Sequence, residues 1–368
     1  MTRAEPRLVL AALVGYPPVE GSQRVAAVGG FVRDVLLERI PRELDLVVEG
    51  DAEALARSFG GTVTVHEPFG TASVHDEDWR IDVAMARRET YPRPGALPEV
   101  TPATIEEDLR RRDFTINAIA VTLDGELVAA EHALEDLEAG VMRVLHERSF
   151  IDDPTRLIRL ARYAQRLGFA VEPRTAELAA AANLETLSGA RLGGELRLAL
   201  GEQQPLAVLE RLRDALPFDL DPALAEAALA LAPADADRAL LVLGAAQGDP
   251  AWIERIELTA RERAVVAACR EAAVPADTRP SALWRAWRRT PVEAVALAGA
   301  RGDQRAARAW IETLRHVRLE IDGHDLIAAG IAEGEEIGRR LERALLAKLD
   351  GELGGGRDAE LAFATGEG

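Results

Sequence analysis

Glu43 and Asp45 are two carboxylates separated by one residue in the stretch RELDLVVEG. The β-branched residues that follow predict a strand, and alternate residues of a strand point to the same face. Two carboxylates side by side form the hard oxygen site that Mg²⁺ prefers. Asp82, on a second predicted strand, fits equally a third ligand near the metal and an ordinary surface residue.

A glycine pair, Gly29-Gly30, precedes these carboxylates at the junction of a predicted strand and helix. Glycine lets the backbone approach a phosphate closely, and a helix N-terminus offers free N–H groups and a positive dipole end. Arg33 lies in the first turn of that helix and would face the same anion. A phosphate-binding turn beside a metal site predicts attack on a nucleotide α-phosphate. The alternative is an ordinary β-α-β unit with a solvated acidic turn.

Three consecutive arginines, residues 110–112, occur in the stretch EEDLRRRDFTINA. They cannot all lie on one solvated helix face, and we expect Asp113 to pair with one of them. Thr115 and Asn117 add polar groups at alternate positions. The alternative is a basic helix end that is capped by Asp113.

A second arginine series begins after IDDP, where Asp153 is a predicted N-cap and Pro154 a predicted first helical residue. Spacings of three, three and four place four guanidinium groups on one helix face, and apolar residues supply the buried side. Such a face needs anions or carboxylates to neutralise it; the alternative is a solvated helix edge that pairs with an acidic body. The arginines are Arg156, Arg159, Arg162 and Arg166.

The elements that must position these residues follow from the hydrophobic pattern. Strands are predicted over 25–28 and 44–50, and helices follow each of them. Residues 62–86 alternate and predict two or three strands, whereas 87–104 is rich in proline and is predicted to be a long loop. After about Phe150 the pattern is almost entirely helical. The sequence thus predicts an α/β head followed by a long all-helical arm.

Composition limits the classes of protein. The chain has 368 residues and a net charge of −18, which disfavours an overall basic nucleic-acid-binding protein but leaves room for a local basic face. Cys269 is the single cysteine, so an intrachain disulfide is excluded and a cytoplasmic location is expected. No run of apolar residues is long enough for a membrane span, and the apolar run near the N-terminus is predicted to be a helix.

Four motifs, taken in order, resemble those of the class II tRNA nucleotidyltransferases, the bacterial CCA-adding enzymes, which share their head with bacterial poly(A) polymerases. The resemblance implies a polymerase β-like α/β nucleotidyltransferase head over 1–145, a helical neck over 146–210, and a helical body and tail over 211–368. It also implies Mg²⁺ as the cofactor and CTP and ATP as substrates. The tRNA would be bound through its acceptor stem and T-arm. The motifs are GGFVRD, ELDLVVEGD, RRDFTINA and DDPTRLIRLARYAQRLGF.

The resemblance also implies roles for individual residues. Glu43 and Asp45 would hold the metals and be catalytic, and Asp153 with Arg156 would hydrogen-bond the edge of the incoming base. The remaining residues would hold the nucleotide: Gly29, Gly30, Arg33, Arg112, Arg159 and Arg162.

Two departures from the family pattern leave alternatives open. Glu43 stands where an aspartate is usual, and the stretch SGARLGGELRLAL, 188–200, differs from the usual neck sequence. The motifs do not separate an enzyme that adds CCA from one that adds only CC or only A, although a long 86–107 segment favours an enzyme that is able to add A. A poly(A) polymerase is disfavoured because 67–74 lacks basic residues. A catalytically inactive tRNA-binding protein is the alternative from another class.

Overall fold

The computed structural model describes residues 5–19, 23–66, 70–216, 218–247 and 251–366. Residues 67–69, at the start of the non-basic 67–74 segment, lie outside them. The chain divides into two compact units, Met1–Ala215 and Leu216–Gly368. The candidate metal- and nucleotide-binding residues all belong to the first unit.

A seven-stranded mixed sheet forms the centre of the first unit, in the order β3-β4-β5-β2-β1-β8-β9. Neighbouring strands are antiparallel except β2 and β5, which run parallel. Residues 62–86 form three strands, the larger of the two numbers that the sequence predicts. The strands are β1 (Val25–Val28), β2 (Leu44–Val48), β3 (Thr62–His66), β4 (Thr71–His75), β5 (Arg80–Met85), β6 (Arg87–Thr90), β7 (Glu99–Pro102), β8 (Ile119–Thr122), β9 (Leu127–Ala129), β10 (Val141–Met142) and β11 (Ala170–Val171).

Helices pack on this sheet, and most of the chain after the sheet is helical. The predicted N-terminal helix and the helices after the first two strands are confirmed. Short 3₁₀ helices cover Thr115–Asn117, Leu184–Thr186 and Arg213–Ala215. The helices are α1 (Pro6–Leu13), α2 (Gly30–Leu36), α3 (Ala52–Ser58), α4 (Ile105–Arg110), α5 (Ala133–Ala139), α6 (Ser149–Asp152), α7 (Thr155–Leu167), α8 (Pro173–Ala180), α9 (Gly189–Leu200) and α10 (Pro205–Arg211).

Local signals set several of these boundaries. Asp51 caps α3 by accepting a hydrogen bond from the Ala54 N–H, and Thr104 with Glu107 forms a capping box at the start of α4. All four residues of β1 are buried, which fits a central strand covered on both faces. A core beneath α4 joins it to the sheet; its buried residues are Ala26, Val28, Val47, Ala86, Ile105, Leu109, Ala118 and Ala120.

The prediction of a long loop over 87–104 is wrong. Strands β6 and β7 pair as an antiparallel hairpin, with Arg87 opposite Pro102 and Thr90 opposite Glu99. Pro102 is accommodated because it occupies the last position of an edge strand, where a missing N–H costs least. The proline-rich composition that suggested a loop belongs to the hairpin's tip, residues 91–98.

The predicted start of α7 is displaced by one residue. Thr155 is the first helical residue and Pro154 is the N-cap, whereas Asp153 follows the end of α6 in extended backbone. The Asp153 carboxylate still accepts hydrogen bonds from the Thr155 N–H and hydroxyl at 3.0 and 2.6 Å. It therefore satisfies a first-turn donor of the helix from one position earlier than a standard N-cap.

Among its described residues, the second unit is built of helices and of the two-residue strands β12 (Asp219–Leu220) and β13 (Ala246–Gln247). Its interior contains Cys269 and three of the tryptophans, Trp252, Trp287 and Trp310. Within the described residues, no helix combines the length and apolar character that a membrane span requires. The helices are α11 (Pro222–Leu231), α12 (Arg238–Ala245), α13 (Ala251–Arg255), α14 (Ala260–Glu271), α15 (Pro280–Trp287), α16 (Val292–Arg301), α17 (Gln304–Glu312), α18 (Gly323–Ala328), α19 (Glu335–Leu349) and α20 (Arg357–Thr365).

Candidate active site

A cavity of about 840 Å³ in the first unit brings the separate motifs together. Its wall includes the glycine turn, the beginning of β2, the segment after α4 and one face of α7. Every residue that the sequence analysis predicted to bind metal or nucleotide lines this cavity: Gly29, Gly30, Arg33, Glu43, Asp45, Arg112, Asp153, Arg156, Arg159 and Arg162. A volume of this size suits a nucleotide.

Three carboxylates converge on one side of this cavity. Ligand oxygens of Glu43, Asp45 and Asp82 all lie within 4.8 Å of one another. The parallel register of β2 and β5 places Asp45 directly opposite Asp82, and Glu43 precedes β2 by one residue. Of the two interpretations of Asp82, the structure supports the one that places it beside the acidic pair.

The charge balance of this triad suits a divalent cation. Burial raises the pKa of Asp45 to about 7, Arg112 opposes that rise, and Glu43 and Asp82 add to it. Arg80 lies 3.1 Å from an Asp82 oxygen and 3.7 Å from a Glu43 oxygen, but it is more than half exposed. A buried carboxylate that is crowded by two others gains from a hard cation with oxygen ligands. The donor set therefore fits a divalent metal.

Gly29 sits where the glycine turn passes under Arg112. Its φ of +70° lies in the left-handed region, and a Cβ there would come within 2.7 Å of Arg112 Nη1 and 3.8 Å of Asp45 Oδ2. A side chain at this position would strain the backbone and would require the Arg112 guanidinium group to shift. The glycine thus makes room for a side chain of the cavity.

Arg33 is almost completely buried in α2. Its Nε and Nη2 atoms donate to Asp34, at 2.8 and 2.7 Å, and its Nη1 donates to Asn117 Oδ1 at 2.6 Å. It lines the cavity, as expected, but both ends of its guanidinium group are fixed by protein atoms. Arg33 is therefore pre-positioned before any ligand binds.

The expected pairing of Asp113 with one of the three arginines beside it is wrong. Asp113 lies 2.8 Å from Arg159 of α7, while Arg111 and Arg112 both pair with Asp108 of α4. The chain turns inward after α4, which buries Asp113 against α7, and the i,i+3 and i,i+4 geometry of a helix end directs the arginines back to Asp108. Arg111 also reaches Glu89 of the hairpin, at 2.8 Å.

The four arginines of α7 line the cavity together, and Arg156 and Arg162 are buried, so they do not form a solvated helix edge. Carboxylates nevertheless pair with members of the series, as that alternative expected. Arg156 donates to Ser149 Oγ and to the Arg111 carbonyl, both at 2.7 Å. Arg162 pairs with Glu195 and Glu202, at 3.1 and 3.3 Å. These protein carboxylates neutralise only part of the charge, and a bound polyanion would supply the rest.

Tyr163 is a central residue that the sequence analysis missed. Four guanidinium carbons lie 4.9–5.9 Å from the centre of its ring, those of Arg33, Arg159, Arg162 and Arg166. An aromatic ring attracts cations to its face, so this ring helps to hold like charges close to each other. Its position inside the arginine series was the one available signal. Glu202 gave no comparable signal because its partner is distant in sequence.

Asp153 is held from two sides. Arg191 of α9 donates to its Oδ1 at 2.7 Å and also donates to the Gly95 carbonyl at the hairpin tip at 2.9 Å. Thr155 supplies the other donors described above. The hairpin, α9 and the beginning of α7 thus meet at this carboxylate.

Comparisons with known proteins agree with this arrangement. A family model described as the poly(A) polymerase head domain matches residues 25–143. An A-adding tRNA nucleotidyltransferase of Halalkalibacterium halodurans is 43% identical over 202 residues, or 51% of this chain and 47% of that protein. A CC-adding tRNA nucleotidyltransferase of Deinococcus radiodurans is 43% identical over 190 residues, or 49% of this chain and 51% of that protein.

A solved structure of a CCA-adding enzyme in an apo form extends the similarity to almost the whole chain. It matches with a TM-score of 0.77 and 30% identity, and it covers 97% of this chain and 92% of that one. The chain belongs to the class II CCA-adding enzyme family. The fold class expected for that family, an α/β nucleotidyltransferase head followed by helices, is confirmed. The chain matches only about half the length of these two curated members of the class II CCA-adding enzyme family.

Proposed function

We propose that this protein is a tRNA nucleotidyltransferase that adds C, A or both to the 3′ end of tRNA, with CTP and ATP as substrates and pyrophosphate as the leaving group. The observation that carries the proposal is the shared cavity: the Glu43–Asp45–Asp82 triad and the arginine face of α7 line the same space. A carboxylate triad opposite a cluster of guanidinium groups suits a reaction at a phosphate of a bound polyanion.

The triad would hold Mg²⁺, whose Lewis acidity makes the tRNA 3′-hydroxyl more acidic and stabilises charge on the phosphate oxygens. Glu43 and Asp45 would be the principal ligands, and Asp82 would complete the site. The remaining work falls to fixed groups of the chain. Arg33, with the backbone of Gly29 and Gly30, would hold the triphosphate, and Arg112 would contact the bound nucleotide. Arg159 and Arg162 would continue the pocket that holds the base. Holding the nucleotide in position lowers the entropic cost of reaction.

Protein side chains would select the base. In this proposal the Asp153 carboxylate accepts from the exocyclic amine that cytosine and adenine share, and Arg156 donates to ring acceptors. Guanine and uracil lack that amine on the corresponding edge. Both side chains are already held by protein partners, Asp153 by Arg191 and Arg156 by Ser149, which supports a pre-organised template.

Roles for the three regions of the chain follow from the same proposal. Residues 1–145 would act as the catalytic head, 146–210 as the neck that carries the templating helix, and 211–368 as the body and tail. The helices of the last region would bind the acceptor stem and T-arm of tRNA through shape and phosphate contacts. Such an enzyme would act in the cytoplasm, and the buried thiol of Cys269 is compatible with a reducing compartment.

The proposal includes enzymes that add CCA, only CC or only A. The A-adding and CC-adding relatives match the chain at the same 43% identity, so they do not favour one product. A poly(A) polymerase shares the matched head. A catalytically inactive tRNA-binding protein is the competing function, motivated by Glu43 in place of aspartate.

Primer extension on three tRNA transcripts tests the proposal. The transcripts end at the discriminator base, at C and at CC, and each receives CTP, ATP or both with Mg²⁺. Addition of C, C and A to the first transcript identifies a complete CCA-adding enzyme, whereas addition of only CC or only A identifies one half of a split pair.

Two variants complete the assay. Asp45→Asn should abolish addition, and Asp214→Asn, a matched change at an exposed carboxylate of the same unit, should not. Absence of metal-dependent addition by the unaltered protein would reject the enzyme and leave the RNA-binding alternative.

A further inference from the structure

A continuous chain of polar contacts joins Arg33 of α2 to Arg159 of α7. Arg33 Nη1 donates to Asn117 Oδ1 at 2.6 Å, and Asn117 Nδ2 donates to Asp113 Oδ1 at 2.9 Å. The other oxygen of Asp113 lies 2.8 Å from Arg159 Nη2. Asn117 is the link between the two charged pairs.

Burial limits the partners that the polar groups of this chain of contacts can take. Arg33, Asp113 and Asn117 are 3%, 5% and 5% exposed. A buried polar group that loses its partner is strongly disfavoured, so the network has few alternative arrangements. The side chain at position 117 must accept a hydrogen bond from the Arg33 guanidinium group and donate one to the Asp113 carboxylate. An amide does both, and these two bonds fix the orientation of the amide, whereas a carboxylate only accepts.

The two ends of the chain belong to different parts of the proposed nucleotide site. Arg33 follows the glycine turn, where the triphosphate would lie. Arg159 is one helical turn from Arg156, which would read the base. Burial alone would raise the pKa of Asp113, but the charges of Arg159 and Arg156 and the Asn117 hydrogen bond lower it instead. Asp113 is therefore a charged partner of the base-reading face of α7.

We infer that Asn117 is a positioning residue that couples triphosphate binding to base selection. The inference rests on the proposed function. A triphosphate that engages Arg33 acts, through Asn117 and Asp113, on the position of Arg159 and hence on the arginine face that reads the base. Contacting groups in one network typically couple by roughly 3-fold to 100-fold in an equilibrium constant, and such coupling is reciprocal.

The substitution Asn117→Asp separates the two links. It retains an acceptor for Arg33 but replaces the donor that faces Asp113 with a second acceptor. We expect the affinity for tripolyphosphate, a probe without a base, to stay within about 3-fold of the unaltered protein, because charged partners still hold Arg33. Discrimination, the ratio of kcat/KM for the preferred nucleotide to that for UTP, should fall by about tenfold or more.

Two further variants sharpen the test. Asn117→Ala removes both links and should weaken tripolyphosphate binding as well as discrimination. Asn183→Asp is the matched control: Asn183 is exposed and accepts from the Glu185 N–H, a bond that aspartate retains. It should change neither quantity. If Asn117→Asp does not yield folded protein, Asp113→Asn breaks the chain one bond further along and should give the same separation of the two readouts.

The measurements are isothermal titration with tripolyphosphate, single-nucleotide incorporation kinetics, and thermal unfolding of each variant. Loss of discrimination with retained tripolyphosphate affinity and a Tm near that of the Asn183→Asp control supports the coupling role. Retained discrimination in Asn117→Asp overturns it, and so does a parallel loss of both readouts with a lowered Tm, which indicates a purely structural role. Absence of incorporation by the unaltered protein overturns the proposed function instead.

Discussion

Asp45 of β2 and Asp82 of β5 are register partners in the one parallel strand pair of the described seven-stranded sheet. Parallel pairing places residues of the two strands side by side with their side chains on a common face. Glu43, two residues before Asp45, points to that face as well and completes the triad. The geometry of the carboxylate triad is therefore set by strand register, and only the reach of each carboxylate depends on the side chain.

Asp82→Asn should raise the Mg²⁺ concentration needed for half-maximal nucleotide addition and lower the rate by about 100-fold at limiting metal, because one of three anionic ligands is lost. A Mg²⁺ titration of single-nucleotide addition measures both effects. Asp214→Asn is the control at an exposed site. An unchanged metal dependence would show that Asp82 is not a ligand.

Glu43→Asp should retain nucleotide addition within about tenfold of the unaltered protein, since both residues supply a carboxylate at the same strand position. Glu43→Gln keeps the length of the side chain but removes its charge, and it should lose about 100-fold or more. The pair of variants, assayed at saturating Mg²⁺, separates charge from reach. Equal activity of Glu43→Gln and the unaltered protein would contradict a role in metal binding.

Tyr163→Leu should weaken nucleotide triphosphate binding by about tenfold, because four guanidinium groups lose the ring that holds them together. Tyr163→Phe retains the ring and should change the affinity by only about 3-fold, the loss of a weak contact from Arg159 Nη2 to the hydroxyl, at 3.5 Å. Equilibrium binding of ATP and CTP measures the difference. Equal affinities of the two variants would exclude a cation–π role for the ring.

Gly95→Ala should destabilise the docking of the hairpin tip. Gly95 has a φ of +69°, and a Cβ would lie 2.6 Å from the Thr186 carbonyl oxygen. Left-handed backbone and the close contact together predict a loss of about 1–3 kcal/mol in the free energy of unfolding. Gly194→Ala in α9 is the control, since its Cβ would meet no atom within 4 Å. Denaturant unfolding compares the two, and equal stability would contradict the described hairpin contact.

Acid should remove stability that two buried carboxylates provide. Burial alone would raise the pKa of Asp108, but Arg112 and Arg111 lower it below its usual 3.8, and the pKa of Asp113 is also lowered. Because the folded pKa values are lower than the unfolded ones, the stabilisation is fully present above about pH 4 and is lost as the pH falls through the folded values. The free energy of unfolding, measured from neutral pH down to pH 2, should therefore fall below about pH 4.

Asp108→Asn tests this assignment. At pH 7 it should lower the free energy of unfolding by about 3–5 kcal/mol, because two arginines lose a buried partner. It should also make stability less dependent on pH in the acid range. A variant whose acid dependence matches that of the unaltered protein would show that other groups carry the effect.

Much of the local structure could be predicted from the sequence because its causes are local. The buried strand at 25–28, the cap at Asp51 and the glycine turn are confirmed. The motif residues line one cavity, as the resemblance implied, although their individual roles stay predictions. The loop predicted over 87–104 failed because proline content describes only the tip of the hairpin, whereas pairing of its strands is a contact between distant residues.

The sequence by itself determined which residues carry charge, which turns need glycine, and which helix face is rich in arginine, since these depend on residue type and period. Only the tertiary structure decided the partners. Strand register placed Asp82 beside Asp45, and the inward turn after α4 gave Asp113 to Arg159 instead of to a neighbouring arginine. Packing of α9 brought Glu195 to Arg162. A charged group that is buried must take whichever partner the fold brings near, and that partner is not encoded at a fixed spacing along the chain.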